Sequence, residues 1–438
     1  MERFWNCVLA MGLMLAASAA SGAERPREKV LSEIEGMRDD MVAALTQICT
    51  HPAVSPHAGG TGEEEKAREI EKIVSGLGLG SVVWERVSDD KSPTGKRPSL
   101  FLTWPGRQKR RLCILSHTDI VSEGDRSLWS LDPFKPEVRG TKLYGRGVTD
   151  DGVAIVSSLY ALKALKDAGV TPEFTICLVF AADEEEGSEF GLSALLERGL
   201  FREDDLVLVP DGGNPAGDFI EIAEKGAWQP TFIVTGKQVH GSTPEMGLNA
   251  CRVANLFSIE LDKALHEAFP ETDARFDPPS STFEPTRRFQ NVASVNIIPG
   301  KEVLNFDCRI LPSVPMEKVD EVARRVMRDV EARTGAKIEM EVTPERAPQP
   351  TAEDSEIVKL LSGAVRSVLN VEPRAGGIGG GTFASLFRAR GIPAAVWLQC
   401  DSSQDHQPDE CVEIATLVNN AKVFALMMMG GAEQARRP

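Results

Sequence analysis

The sequence predicts an α/β fold with a mostly parallel sheet, into which a smaller ferredoxin-like α+β domain is inserted. Three observations carry this prediction. Short β-rich runs alternate with helical periodicity towards both ends of the chain, as in parallel sheets whose two faces are covered by helices. The middle of the chain changes to a β-α-β-β-α-β order, which is typical of a ferredoxin-like arrangement. The α/β pattern then resumes, so the small domain interrupts the large one.

The points where the pattern changes give the predicted domain boundaries. The large domain comprises residues 24–226 and 345–430, and the inserted domain comprises residues 227–344. Residues 1–23 form a separate leader, and residues 431–438 are predicted to be a disordered tail.

The elements of the large domain follow from hydrophobic periodicity. Apolar and charged residues mix at helical spacing over residues 28–48 and 63–77, which predicts two amphipathic helices. The other predicted elements are strands at Ser81–Val87, Leu100–Trp104, Leu112–Leu115, Phe174–Ala181, Leu206–Val209 and Ala394–Leu398, and helices at Asp151–Leu165, Ser355–Leu369, Phe383–Arg390 and Val412–Met429.

The inserted domain is predicted from the same signals. A stretch rich in Pro, Glu and Arg, Pro270–Arg288, is interpreted as an exposed loop. Pro299 and Gly300 mark a turn between two strands. The predicted elements are strands at Pro230–Gly236, Val292–Ile298, Val303–Ile310 and Lys337–Val342, and helices at Leu248–Ala268 and Met316–Thr334.

Composition argues against one class of partner. The chain has 438 residues and a net charge of −16, whereas binding to a nucleic-acid backbone needs concentrated Lys and Arg. The tight basic cluster at residues 107–111 is interpreted as a solvated turn. We therefore expect no nucleic-acid partner.

The first 23 residues have the features of a secretory signal peptide. Arg3 precedes an apolar run, Val8–Ala20, and Ser21 and Ala23 supply small residues before a cleavage point. The run is shorter than the roughly 20 residues that a spanning helix needs. The sequence thus predicts an exported, periplasmic or secreted protein without a stable membrane span after cleavage. The alternative is an uncleaved N-terminal anchor.

The cysteines predict buried free thiols. Seven of the eight follow residue 23, and none forms a C-x-x-C pair, which argues against a zinc ribbon or a thioredoxin-type motif. Cys113 and Cys177 lie inside apolar, strand-like runs, where a thiol behaves as a small apolar side chain.

Two histidines and three carboxylates are strung through the chain in a pattern that suits a pair of metal ions. Zinc takes imidazole nitrogen and carboxylate oxygen at about 2 Å, and two ions roughly 3.5–4 Å apart need a bridging group such as a carboxylate. The candidate ligands are His117, Asp150, Glu185, Asp211 and His406.

Most of these candidates follow predicted strands, where ligands gather in α/β sheets. His117 ends one strand, and Asp119 comes two residues later, where it could orient the imidazole. Asp150 stands beside Asp151 at the start of a predicted helix, so one of the two could instead cap that helix. Taken alone, His117 could be a surface histidine near a strand end, and the acidic run after the next strand and the segments of Asp211 and His406 could be solvated turns or loops.

The run Asp183–Glu186 crowds negative charge at the end of a buried strand, which is unfavourable without a compensating cation. Neighbouring glutamates can also divide the work, because one can bind metal while the other, Glu184, stays available as a general base. Asp211 follows a third strand, and His406 lies in a late polar loop.

Seven motifs in order resemble the co-catalytic zinc metallopeptidases, the family of glutamate carboxypeptidase, aminoacylase, acetylornithine deacetylase, succinyl-diaminopimelate desuccinylase and related dipeptidases. The resemblance spans roughly residues 30–430. The motifs are S-H-T-D-I-V, L-Y-G-R-G-V-T-D-D, D-E-E-E-G-S, P-D-G, V-H-G-S-T-P-E-M-G-L-N-A, G-G-G-T and D-H-Q-P-D-E.

This resemblance implies a role for each ligand. Asp150 bridges two divalent ions, zinc in the first place with Co²⁺ or Mn²⁺ as alternatives. His117 and Asp211 complete one site, and Glu185 and His406 complete the other.

The same resemblance makes Glu184 the general base and Asp119 the acid beside the first histidine. Glu185 and Glu186 could be the working pair instead. The spacing to Gly187 and Ser188 matches the family and favours Glu184 and Glu185.

In the inserted domain, the resemblance implies a lid that also forms a homodimer. His240 would stabilise the oxyanion, and Asn296 and Arg309 would hold the substrate carboxylate. The loop whose backbone approaches the substrate would be Gly379, Gly380, Gly381 and Thr382.

The expected activity is metal-dependent hydrolysis of an amide bond in a small peptide or an N-acyl amino acid. A deacylase of N-acetyl or N-succinyl amines and a non-catalytic binding protein on the same fold are the alternatives. One departure from the family is Gly152-Val153 where Lys-Gly is common, which leaves the ligands intact but puts the subfamily in doubt. A nucleotide loop at Gly376–Gly381 is rejected because no predicted strand precedes it.

Overall fold

A computed structural model describes residues 26–289, 291–343 and 347–431. The described residues divide into two compact units, of which the second lies within Ile222–Pro350 and Gly376–Gly381 and the first comprises the other described residues. The predicted insertion, residues 227–344, lies within the second unit. The predicted leader and, apart from Gly431, the predicted tail lie outside the described residues.

The segment Gly376–Gly381 joins the second unit through its backbone. The N–H of Lys225 donates to the carbonyl of Ile378 at 3.1 Å, and the N–H of Gly377 donates to the carbonyl of Arg275 at 2.7 Å. These bonds link positions far apart in the sequence, so periodicity does not reveal them.

The bounds of the strands and helices, numbered in chain order, are as follows. The strands are β1 Val83–Ser88, β2 Lys96–Trp104, β3 Arg111–His117, β4 Glu137–Arg139, β5 Lys142–Tyr144, β6 Thr175–Ala181, β7 Leu206–Asn214, β8 Phe219–Glu224, β9 Gly226–Trp228, β10 Thr231–Thr235, β11 Val239–His240, β12 Thr282–Arg288, β13 Ile297–Ile298, β14 Lys301–Ile310, β15 Lys337–Glu341, β16 Arg374–Ile378, β17 Ala394–Gln399 and β18 Cys411–Glu413. The helices are α1 Arg38–Ile48, α2 Glu64–Gly76, α3 Val153–Ala168, α4 Ala194–Glu197, α5 Ala250–Ala268, α6 Met316–Thr334, α7 Glu356–Leu369, α8 Phe383–Arg388 and α9 Ile414–Met428. Residues 26–36 are also helical.

The first unit is built on an eight-stranded sheet with the order β1-β2-β6-β3-β7-β17-β8-β16. Its central strands β6, β3, β7 and β17 run parallel, and β2 pairs antiparallel with β1 and β6. The predicted α/β fold class is confirmed. Because β6, β3 and β7 are parallel neighbours, the residues at their carboxyl ends meet at one edge of the sheet.

Helix α3 anchors this sheet because its sequence is apolar nearly all round, as expected of a fully covered helix. Residues from Val153 to Leu162 are all buried, and α3 packs against α9. Leu159 is 0% exposed, so Leu159→Ala should cost about 2–5 kcal/mol of stability.

The second unit has the predicted β-α-β-β-α-β order, with the sheet order β12-β14-β10-β15. Neighbouring strands along this path pair antiparallel. Aromatic rings fill its core, where Phe232 meets Phe257 with ring centroids 4.8 Å apart and Phe306 at 6.0 Å. Edge-to-face packing of this kind adds to the hydrophobic burial of the rings.

Three predicted elements differ from the structure. The predicted loop Pro270–Arg288 contains β12, whose register shifts after Pro285. Proline is tolerated in edge strands and at such irregularities. Only Ile297–Ile298 of the predicted strand Val292–Ile298 is paired. Cys411–Glu413 forms a strand against β5 instead of opening the last helix.

No helix in residues 26–289, 291–343 and 347–431 is both long enough and apolar enough to cross a bilayer.

Candidate metal centre

The parallel strands bring three of the five predicted ligands to one edge of the sheet. His117 is the last residue of β3, Glu185 follows β6, and Asp211 lies in the last part of β7. Asp150 belongs to the turn that leads into α3. His406, from the loop before β18, joins them across a large sequence separation.

A first group of donors is His117, Asp150 and Asp211, and a second is Asp150, Glu185 and His406. Within each group the candidate ligand atoms all lie within 4.8 Å of one another. Asp150 belongs to both groups. Its Oδ1 lies 2.6 Å from His117 Nε2, and its Oδ2 lies 3.0 Å from His406 Nε2.

The protonation of the first histidine follows from its surroundings. Nδ1 of His117 lies 3.1 Å from the carbonyl oxygen of Asp119. A carbonyl only accepts, so Nδ1 carries a proton and Nε2 points at the carboxylates, as in metal-bound histidines. The neighbouring negative charges, led by Asp150, hold the pKa of His117 well above its usual range despite its burial.

The second histidine is exposed on one side and faces two carboxylates. His406 Nε2 lies 3.2 Å from Glu185 Oε2 in addition to its contact with Asp150. These two bonds raise the pKa of His406 to about 10. Without a cation, the carboxylates hold a proton on the imidazole that a metal ligand must give up.

Asp119 is fully buried and holds the turn after β6. Its Oδ1 accepts the backbone N–H of Glu184 and its Oδ2 accepts that of Glu185, each at 3.0 Å. Glu184 itself belongs to neither group of donors. Burial, followed by the charge of Asp211, raises the pKa of Glu184 well above its usual range.

The aspartate pair before α3 does not cap that helix, so the capping alternative is wrong for both residues. Asp151 Oδ2 instead accepts the backbone N–H of His117 at 3.0 Å. The peptide bond between Asp150 and Asp151 is cis. The hydrogen bond from His117 to Asp151 ties the end of β3 to the turn that carries the shared ligand, Asp150.

Sequence reasoning missed a buried ion pair beneath this turn. Arg146 Nη1 donates to Glu410 Oε2 at 2.7 Å, and the two side chains are 2% and 0% exposed. Glu410 is the last residue of the D-H-Q-P-D-E motif, which the sequence presents only as a polar loop.

The donors fit divalent metal ions. Imidazole nitrogen and carboxylate oxygen are the ligands that zinc takes. Oε1 of Glu185 is buried and has no hydrogen-bond partner among the described residues, so an acceptor is left that a cation would satisfy. The crowding of Asp150, Glu185 and Asp211 around only two histidines leaves negative charge for a cation to balance.

The remaining predicted site residues lie mostly in the second unit. His240 is exposed on β11, and the carbonyl of Asn296 accepts the N–H of Gly241 at 2.7 Å, so the structure brings these two segments together. Arg309 is bound by Asp307 at 2.7 and 3.1 Å and donates to the carbonyl of Gly379 at 3.3 Å.

The glycine loop has open space around it. A side chain added at Gly379, Gly380 or Gly381 would meet nothing within 4 Å. Thr382 caps α8, with Oγ1 accepting the N–H of Ala384 at 3.1 Å. The expectation that no strand precedes this loop is wrong, because β16 ends at Ile378; its glycines hid it from a propensity-based prediction.

Metal-type donors at the carboxyl ends of parallel strands indicate an α/β metalloprotein. The chain belongs to the peptidase family M20/M25/M40, whose sequence pattern matches residues 113–430. The predicted family resemblance is therefore confirmed, and with it a hydrolase of amide bonds.

Individual relatives agree with this assignment. The chain is 39% identical over 388 residues to an uncharacterized metallohydrolase of Methanocaldococcus jannaschii, covering 85% of this chain and 94% of the relative. It is 24% identical to a succinyl-diaminopimelate desuccinylase of Wolinella succinogenes, and the matched region covers 86% of this chain and 96% of the relative. The fold is similar to that of a tripeptidase from Staphylococcus aureus, with a TM-score of 0.72 and 18% identity. The match covers 91% of this chain and 99% of the tripeptidase.

Proposed function

We propose that this protein is a two-metal hydrolase, with zinc at both sites, that cleaves an amide bond in a small peptide or an N-acyl amino acid. One observation carries the proposal: the two carboxylate oxygens of Asp150 face different histidines, at 2.6 and 3.0 Å. A carboxylate so placed suits a bridge between two cations. Cobalt or manganese would find the same donors.

His117, Asp150 and Asp211 would hold one ion, and Asp150, Glu185 and His406 would hold the other. When bound, such a pair polarises a carbonyl and acidifies water. The protein's own contribution is to hold His117, Glu185 and Asp211 at or after strand ends and to shield His117, which is 1% exposed.

Glu184 is the proposed general base. Its raised pKa, caused first by burial and then by Asp211, gives it a high affinity for a proton. It accepts the proton of the attacking water and delivers it to the leaving nitrogen. Asp119 supports this role because it holds the backbone N–H of Glu184 and of Glu185.

His240 is the proposed donor to the developing oxyanion. The backbone N–H of Ser242 donates to Nδ1 of His240 at 3.2 Å, so the ring proton of the neutral imidazole resides on Nε2. An Nε2–H on an exposed ring is available to an oxygen that gains negative charge. Asn296 and Arg309 are proposed to receive the substrate carboxylate, and a homodimer through the inserted domain is proposed with them.

Two substrate classes fit this proposal: small peptides or N-acyl amino acids, and N-acetyl or N-succinyl amines. The second candidate is a deacylase of N-acetyl or N-succinyl amines, and the W. succinogenes relative named a succinyl-diaminopimelate desuccinylase supports its N-succinyl form. Export, proposed from the first 23 residues, would suit peptide scavenging instead. We expect peptides to be the better substrates.

The test is to reconstitute metal-free protein with Zn²⁺, Co²⁺ or Mn²⁺ and to compare kcat/KM for dipeptides, N-acetyl amino acids and N-succinyl amines. Higher values for peptides would support the proposal, and higher values for succinylated amines would replace it with the second candidate. A metal-loaded protein that cleaves none of them would favour a binding protein on the same fold. Fractionation and N-terminal sequencing of the mature protein would test the export proposal.

A further inference from the structure

The buried pair Arg146 and Glu410 lies directly under the turn that carries Asp150. Oε1 of Glu410 accepts the backbone N–H of Thr149 at 2.9 Å and that of Asp150 at 3.3 Å. Oε2 accepts the N–H of Gly147 at 3.1 Å together with the guanidinium of Arg146 at 2.7 Å. One carboxylate therefore fixes the backbone on which the shared ligand stands.

Arg146, the partner of the Glu410 carboxylate, also contacts the loop that carries His406. Nη2 of Arg146 donates to the carbonyl oxygen of His406 at 3.3 Å and to that of Ser122 at 3.4 Å. The guanidinium also lies over the ring of Trp129, 5.1 Å from its centroid. Arg146 thus connects the loop of His406 to the turn of Asp150 through Glu410.

We propose that Arg146 and Glu410 are positioning residues that set the distance between Asp150 and His406, and hence the geometry of the second metal group. The inference rests on the two-metal centre of the proposed function. Glu410 acts on both groups because it holds the shared Asp150. Arg146 acts directly on one group, because His406 belongs only to the set of Asp150, Glu185 and His406, and it reaches the other group only through Glu410.

A plain structural ion pair is the competing explanation, and the chain contains a matched example of one. Arg388 donates to Glu221 at 2.8 Å, and the side chains are 1% and 3% exposed. The hydrogen bonds of Arg388 run to Glu221, Thr351 and Ala394, none of which is a ligand of the two groups. Glu221→Gln therefore reproduces the loss of a buried Arg–Glu pair at another place in the fold.

The experiment compares Glu410→Gln, Arg146→Met and Glu221→Gln with the unmodified chain. Metal-free protein is titrated with Zn²⁺ by calorimetry, bound metal is counted, and the unfolding temperature is measured with chelator and with zinc. We expect Arg146→Met to lose about 10- to 100-fold in affinity for the ion of the His406 group, and less for the other ion, which Arg146 reaches only through Glu410. Glu410→Gln should weaken both, while Glu221→Gln keeps both affinities despite a similar loss of stability in chelator.

Two normal affinities in both Arg146→Met and Glu410→Gln would overturn the inference, as would an equal loss in Glu221→Gln. If Arg146→Met does not fold, Arg146→Lys takes its place. Lysine keeps the charge beside Glu410 but lacks the fork that also reaches His406, so the same loss at one ion is expected. An unmodified protein that binds two ions yet cleaves no amide would contradict the proposed function and leave this inference standing.

Discussion

Asp119 Oδ2 accepts the backbone N–H of Glu185 at 3.0 Å. Oδ1 does the same for the preceding residue, and the carbonyl oxygen of Asp119 faces the ring of His117. Asp119, two residues after the end of β3, therefore orients the ring of His117 and also holds the turn that carries the proposed base, Glu184.

This arrangement predicts that Asp119→Asn is damaging although the side chains have nearly the same shape. The asparagine NH₂ would face a backbone N–H that needs an acceptor. We expect a loss of about 10- to 100-fold in kcat or zinc affinity, measured by steady-state kinetics and calorimetry. Asp125→Asn is the control, because exposed Asp125 also accepts a backbone N–H, from Ser127, and should change neither quantity.

Glu184→Gln should keep bound metal and lose turnover. The amide cannot accept the proton, so kcat should fall by about 10²–10⁴-fold, while zinc content stays at the level of the unmodified protein. Glu186→Gln is the matched control, since Glu186 is exposed on the same turn. A loss of turnover in Glu186→Gln but not in Glu184→Gln would show that Glu186, and not Glu184, is the general base.

His240→Ala should lower kcat without changing metal stoichiometry. Removing a donor to an oxyanion costs about 10²–10³-fold in kcat, and His240 contributes to neither donor group. His266→Ala serves as the control, because His266 is an exposed histidine of the same unit that contacts Asp262. Unchanged kinetics in His240→Ala would remove this histidine from the reaction.

Zinc binding should release protons, and its affinity should fall as the pH is lowered. In the metal-free protein the pKa of His406 is raised to about 10 by Asp150 and Glu185, so at neutral pH the ring is protonated and zinc must displace that proton. Calorimetry in buffers of different ionisation enthalpy measures the release. The effect should shrink in His406→Ala, and a proton count of zero in the unmodified protein would contradict the prediction.

Glu63 should make stability depend on pH. It is buried beside Arg97, which donates to it at 3.0 and 2.7 Å, and burial raises the pKa of Glu63 to about 7. A raised pKa means that the folded state holds the proton more tightly, so this contribution is full below about pH 4.5 and is lost as the pH rises through about 7. The magnitude is a few kcal/mol at most, by the roughly 1.4 kcal/mol that each pKa unit represents.

Urea unfolding of metal-free protein between pH 4.5 and 7.5 would measure this dependence. Glu63→Gln should flatten the slope relative to the unmodified protein, whereas Glu65→Gln, an exposed neighbour on α2, should leave it unchanged. Equal slopes in all three proteins would contradict the assignment to Glu63.

Local signals in the sequence predicted most of the fold. The apolar run of α3 and the buried strands β3 and β6 are recognisable because a fully covered element must be apolar along its whole length. The strand β12 was missed because its proline and charged residues resemble a loop, and only its position at the edge of a sheet permits them. β18 was missed because its partner lies about 270 residues earlier in the chain.

The candidate ligands were named from the sequence because residue type and position after a strand are local properties. His117, Asp150, Glu185, Asp211 and His406 gather into two groups as the family pattern implies. The family pattern also separated Glu184 from the ligands. The roles that the family pattern assigns to the individual residues stay predictions until the variants are measured.

The sequence by itself determined the fold class, the family and the kinds of donor atoms available, since these depend on composition and order along the chain. The tertiary structure decided that the oxygens of Asp150 face two histidines, that Asp119 holds the turn of Glu185, and that Arg146 meets Glu410 across 264 positions. The physical reason is that hydrogen bonds and coordination depend on distances of about 3 Å. Such distances between remote segments are fixed only when strands and loops pack together.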